Sequence, residues 1–119
     1  MKFSEIYGMY PINAIDPQKV DQIAESIKNY GWKGCPILIY NDQLLTGSHR
    51  LAALKKLDDE GEDVLDMGVA EDVTDIVNQN IDARIARDGW APDIDYSAIG
   101  WLLAGSWIEK NFKQEIKEW

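Results

Sequence analysis

At 119 residues, 45% hydrophobic and 28% charged, the chain has the size of one domain and the profile of an ordinary globular protein. It has no run near the roughly 20 apolar residues that span a bilayer, no signal-peptide pattern in Met1–Ile6, and one cysteine, Cys35, which excludes an intrachain disulfide and a multi-cysteine metal site. A cytoplasmic protein with no membrane role is expected, and the net charge of -9 opposes binding to a nucleic-acid backbone over most of its surface.

In chain order, Met9 to Ile15 reads as a short strand broken by Pro11 and Asn13. Asp16-Pro17 is a helix start, a carboxylate cap followed by proline in the first helical position. Val20, Ile23, Ala24 and Ile27 then form the stripe of a helix lying on a core, which Gly31 ends. Ile37-Leu38-Ile39-Tyr40 is β-prone, Asn41-Asp42 makes a turn and Leu44-Leu45-Thr46 returns, giving a hairpin. Gly47-Ser48-His49-Arg50 leads directly into a helix over Leu51 to about Leu57. Val64 to Val73 carries a weak strand pattern. Thr74-Asp75 opens a third helix with Val77, Ile81 and Ile85 on one face, and Gly89 and Pro92 break it. From about Ser97 a last helix is expected, with Trp101, Gly105, Ile108, Phe112 and Trp119 on one side. Its apolar first half implies burial against the domain or a second copy of the chain, which makes a homodimer an expectation. The fold class is α+β, a single domain.

Charge is unevenly spread. Residues 1–57 carry five acids and seven bases, residues 58–95 carry thirteen acids against Arg84 and Arg87, and residues 96–119 balance. An anionic ligand therefore belongs in the first half. The acidic segment 58–95 reads as a solubilising face or a surface for a basic protein partner.

The chemistry concentrates in the strand-Gly47-Ser48-His49-Arg50-helix junction. A glycine lets the backbone turn sharply and lets a ligand approach closely. The first amides of the following helix lack intrahelical partners and point outward with the helix dipole behind them, which suits an anion. Ser48 offers a hydroxyl or a helix cap, Arg50 a planar fork matched to phosphate oxygens, and His49 a donor. His49 is the only histidine, so a histidine-rich metal site is excluded.

The segments Asp16-Pro17-Gln18-Lys19-Val20, Ser26-Ile27-Lys28, Gly31, Pro36-Ile37-Leu38-Ile39 and Leu45-Thr46-Gly47-Ser48-His49-Arg50-Leu51-Ala52-Ala53 occur in an order that resembles the ParB/sulfiredoxin superfamily. The resemblance spans residues 9–75 and leaves 76–119 as a helical C-terminal extension. It implies a small mixed sheet packed with helices, whose Gly-x-His-Arg turn grips nucleotide phosphates, ATP in sulfiredoxins and CTP in partition proteins. Carried over, Gly47, Ser48, His49, Arg50 and Lys19 would hold the phosphates of ATP or CTP, with Mg²⁺ as an accompanying ion. An NTPase or phosphotransferase activity goes with that reading. Sulfiredoxin chemistry does not, because Ser48 stands where the catalytic cysteine is required and a hydroxyl cannot perform thiol repair. Partition proteins carry a second arginine where His49 stands and continue into a DNA-binding domain, so DNA binding is not expected either.

Two other readings compete. One is a non-enzymatic, acidic interaction module, of the kind found in phages and mobile elements and able to imitate DNA, which engages a partner through residues 58–95 or the tryptophan-rich C-terminus. The other is a nuclease, whose metal would need Asp16 and Glu5 to converge on the turn.

Overall fold

A computed structural model describes residues 1–12, 14–90 and 99–116. Asn13, Pro92, Ser97 and Trp119, which enter the expectations above, lie outside the described residues. The elements run α1 (Phe3–Ile6), α2 (Pro17–Tyr30), β1 (Ile37–Tyr40), β2 (Gln43–Leu44), α3 (Ser48–Asp59), β3 (Ala70–Asp72), α4 (Thr74–Asp88), α5 (Ile99–Leu102) and α6 (Trp107–Ile116). They are helices with a small mixed sheet, an α+β chain. No described helix is long and apolar enough to cross a membrane. The chain divides into two compact units, Met1–Asp72 and Val73–Trp119.

In the first unit the sheet order is β2-β1-β3, with β1 antiparallel to β2 and parallel to β3. The hairpin register pairs Ile39 with Leu44 and Tyr40 with Gln43, so Asn41 and Asp42 alone make the turn. Both adopt positive φ, 50° and 61°, the combination a two-residue hairpin requires and that Asn and Asp tolerate best. β1 is the central strand and is buried on both faces, which is why Ile37, Leu38 and Ile39 form a continuous apolar run rather than an alternating one.

The helix α2 begins as the sequence predicts. Asp16 accepts from the Gln18 N–H at 3.0 Å, and Pro17 takes the first position. Val20, Ala24 and Ile27 are buried and Ile23 packs half-buried against the same core. Gly31 closes the helix at φ 75° by donating to the Ile27 carbonyl at 2.9 Å. The apolar face of α3 (Leu51, Ala53, Leu54 and Leu57) joins the same cluster, and Lys56 of α3 pairs with Asp21 of α2.

Several expectations need amendment. Met9 to Ile12, Ala14 and Ile15 form no ladder. Pro11 has no N–H to give, and the Ile12 N–H is taken by a side chain described below, so the segment runs irregularly. Only Ala70–Asp72 of the 64–73 stretch is a strand, as the partner of β1. Residues before 9 enter the core: Phe3 and Ile6 are buried, and α1 is held by bonds from the Phe3 and Ser4 N–H groups to the Met67 and Leu65 carbonyls, 3.0 and 2.9 Å. The helix α3 starts at Ser48 rather than Leu51.

In the second unit, α4 opens at Thr74 and ends on Gly89 at φ 78°. Val77 is buried, but Ile81 is half-buried and Ile85 faces solvent, so the expected apolar face covers only the start of the helix. The single C-terminal helix is two. Gly105 at φ 85° turns the chain, and the Ser106 hydroxyl accepts from the Glu109 N–H at 3.2 Å, the geometry that starts α6. Asn80 joins α4 to the turn after α5, its amide reaching the Leu102 and Ala104 carbonyls at 2.7 and 3.2 Å. Arg84 stacks over the Trp101 ring at 4.7 Å. Leu102, Leu103 and Ile108 are buried, whereas Trp107 is half-exposed against the edge of Phe112.

Candidate functional site

The Gly47 turn is set by the strand beneath it. The Thr46 hydroxyl is buried and accepts from the Leu38 N–H at 3.3 Å, which ends the hairpin. The chain then turns at Gly47 with φ 95°. A Cβ at that position would lie 2.8 Å from Cγ1 of buried Ile37. Glycine is thus demanded twice, by the backbone angle and by the closeness of β1. The Leu51 N–H bonds to the Gly47 carbonyl at 2.9 Å, so α3 springs directly from this contact with Gly47, not Ser48, as its cap residue. The expected Ser48 cap is displaced because the helix begins one residue too early for it.

Each polar side chain of the turn holds a neighbouring backbone segment. Ser48 is 3% exposed, and its Oγ accepts from the Ile12 N–H at 2.9 Å. His49 Nε2 accepts from the Asp16 N–H at 3.1 Å. The Arg50 fork turns into the connector before β1: Nη2 donates to the Lys33 carbonyl at 2.7 Å and Nη1 to the Cys35 carbonyl. Its guanidinium lies over the Trp32 ring at 4.1 Å. One turn of helix therefore organises residues 12, 16 and 32–35.

The His49–Asp16 bond has a second consequence. Asp16 caps α2, so the start of α2 is tied to the start of α3, and the positive ends of two helix dipoles share one corner. Lys19 stands exposed in the first turn of α2, three residues beyond Asp16. The turn residues and the first turn of α2 are brought together in this way, while the Arg50 fork is directed to main-chain carbonyls. The Asp16 carboxylate, which caps the Gln18 N–H, is an anion already present at that corner.

The carboxylates considered for a metal are occupied elsewhere. Glu5 accepts from the Lys2 N–H at 2.7 Å and Asp16 caps α2. Among the described residues, no group of three or more His, Cys, Asp and Glu side chains is placed to hold a metal ion. The buried Ser48 hydroxyl accepts a bond from the Ile12 amide.

Sequence reasoning did not find the partners of the turn. Ile12 and Asp16 contribute backbone N–H groups, Lys33 and Cys35 contribute carbonyls, and no side-chain spacing announces a main-chain partner. Nor did it find a cleft of about 440 Å³ lined by Gly8–Ile12, Asp42 and Gln43.

Two outcomes follow. Gly47→Ala strains the backbone and forces its methyl into Ile37, and we expect a loss of about 1–3 kcal/mol in denaturant unfolding; an unchanged midpoint would contradict the geometry. Arg50→Lys keeps the charge but cannot bridge two carbonyls or stack on Trp32 in the same way. The buried Cys35 thiol should then react about tenfold faster with a thiol reagent, as expected for losing roughly one charged hydrogen bond; an unaltered rate would show that Arg50 does not clamp the connector.

Comparison with protein-family models, with curated proteins and with solved structures gives no match for this chain.

Proposed function

We propose that this chain is a nucleotide-binding domain of the ParB/sulfiredoxin kind, which takes the phosphates of ATP or CTP, with or without Mg²⁺, at the corner where α2 and α3 begin. The observation that carries the proposal is the His49–Asp16 bond, because it joins two helix starts, and Lys19 stands exposed in the first turn of one of them. Helix starts favour anions through their outward amides and dipoles, and a lysine adds a mobile point charge.

The family reading is supported by the element order: capped helix, hairpin, Gly-x-His-Arg turn, helix. The roles within it are divided differently from a simple transfer of the motif. The positive end of the α3 dipole and the ammonium of Lys19 face the ligand. Ser48, His49 and Arg50 hold the surrounding loops in position, and Arg50 supplies its charge from behind. Binding is the core of the proposal; any NTPase or phosphotransferase step is read out as phosphate release in the same samples.

A second reading, an acidic protein-interaction module, is favoured by one feature. Asp59, Glu60, Asp63 and Asp66 are exposed in the segment that also leaves Leu65 41% exposed. A charged segment carrying an uncovered aliphatic side chain suits a basic partner with an apolar centre.

Calorimetric titration with ATP, CTP and GTP, with and without Mg²⁺, tests the leading proposal. Native protein should bind at least one of them, and Lys19→Gln should weaken that binding about three- to tenfold, in line with one exposed phosphate contact. Lys19 packs in no core, so its replacement leaves the fold intact. Absence of binding by native protein, or equal binding by the Lys19→Gln variant, would overturn it. Retention of nucleotide binding in a variant with Asp59, Glu60 and Asp63 neutralised separates the two readings.

A further inference from the structure

Asp88-Gly89, at the end of α4, is the one place in the chain where a glycine follows an aspartate. Such a pair can rearrange without any enzyme. The glycine nitrogen attacks the aspartate side-chain carbonyl carbon, water is expelled and a cyclic imide closes; the missing Cβ on the glycine leaves the approach open. Water then reopens the ring at either carbonyl. Opening at the original main-chain carbonyl routes the chain through the side chain, as isoaspartate. One water leaves and one returns, so no further reactant is needed.

The site meets solvent: Gly89 is exposed and the Asp88 side chain is 28% exposed. Three contacts nevertheless oppose the reaction. Arg87 grips both carboxylate oxygens, Nε to Oδ1 at 3.0 Å and Nη2 to Oδ2 at 3.2 Å. Arg84, one helical turn earlier, adds Nε to Oδ2 at 3.3 Å. An ionised carboxylate must gain a proton before it can lose water. The hydrogen bonds from Arg87, with a smaller share from Arg84, hold the Asp88 carboxyl below its ordinary range and so keep that proton away. The third contact is on the attacking atom. The Gly89 N–H donates to the Ile85 carbonyl at 2.7 Å, which fixes the nitrogen, proton in place, in the last turn of the helix.

We propose that Asp88-Gly89 is a latent isoaspartate-forming site, held in the normal linkage by the grip of Arg84 and Arg87 on the carboxylate and by the Gly89 cap. Conversion lengthens the main chain by one carbon between residues 88 and 89. It also carries the carboxylate away from both arginines and puts the Gly89 N–H out of step with Ile85, so the last turn of α4 opens. The bonds from Asn80 to the Leu102 and Ala104 carbonyls lie two turns earlier and are retained.

The test incubates the full chain for weeks at neutral pH beside a free peptide of residues 84–90. Isoaspartate at residue 88 is measured by peptide mapping with fragmentation that separates the two linkages. The variants are Arg87→Gln, Arg87→Lys and Asp88→Glu. The Arg87 side chain is 66% exposed, so its replacement leaves the fold intact, checked by an unchanged unfolding midpoint. Native protein should convert more slowly than the peptide. Arg87→Gln should convert about two- to fivefold faster than native, the worth of one exposed ion pair. Arg87→Lys, which keeps the charge but not the fork, should fall between them. Asp88→Glu should form no such product, because its ring would need an extra carbon. Native protein converting as fast as the peptide, a peptide that forms no isoaspartate, or Arg87→Gln converting at the native rate would each overturn the proposal.

Discussion

The first unit of this protein is organised by the contact of Gly47 with Ile37. A helix can begin this close to the central strand only if the residue at the junction has no side chain and accepts a left-handed backbone. That closeness aims the first turn of α3 outward along three directions at once. Ser48 meets Ile12, His49 meets Asp16 and Arg50 meets the 32–35 connector. Moving the start of α3 by the width of a methyl group disturbs every one of these ties, because each is a single hydrogen bond or a pair with narrow geometry.

This arrangement changes what a Gly-x-His-Arg turn means chemically. Read as side chains, it offers a hydroxyl, an imidazole and a guanidinium to an anion. In the folded chain those groups are the means by which main-chain segments are positioned. Electrostatics favours such an arrangement. Backbone dipoles fixed by hydrogen bonds cost no ordering when a ligand arrives, whereas a flexible side chain must be immobilised each time. The acidic balance of the chain opposes non-specific contacts with polyanions.

Local features carried their meaning in the sequence and long-range ones did not. The Asp16-Pro17 start, the Val20/Ala24/Ile27 stripe, the Asn41-Asp42 hairpin and the Thr74 start each depend on residues within a turn or two, and each formed. The stretch from Met9 misled because its apolar residues look like a short strand, while Pro11 and the Ser48 bond to Ile12 keep Met9–Ile12 out of the sheet. The split between α5 and α6 was signalled by Gly105 and Ser106, a glycine followed by a capping residue, but the tryptophans around them suggested an uninterrupted apolar face. The turn was legible as a strand-to-helix junction, and the partners of its side chains were not. The strand-glycine-helix pattern points to Gly47–Arg50 and the resemblance adds Lys19, yet nothing in a string of residues shows that the Arg50 guanidinium will meet the carbonyls of Lys33 and Cys35.

The most direct test of the central claim is an amide-resolved titration of the native protein with ATP and CTP. The account predicts saturable shifts concentrated at Gly47–Arg50 and at Gln18–Lys19, with the signals of α4 to α6 unmoved. Shifts absent from the start of α3, or confined to the second unit, would contradict it.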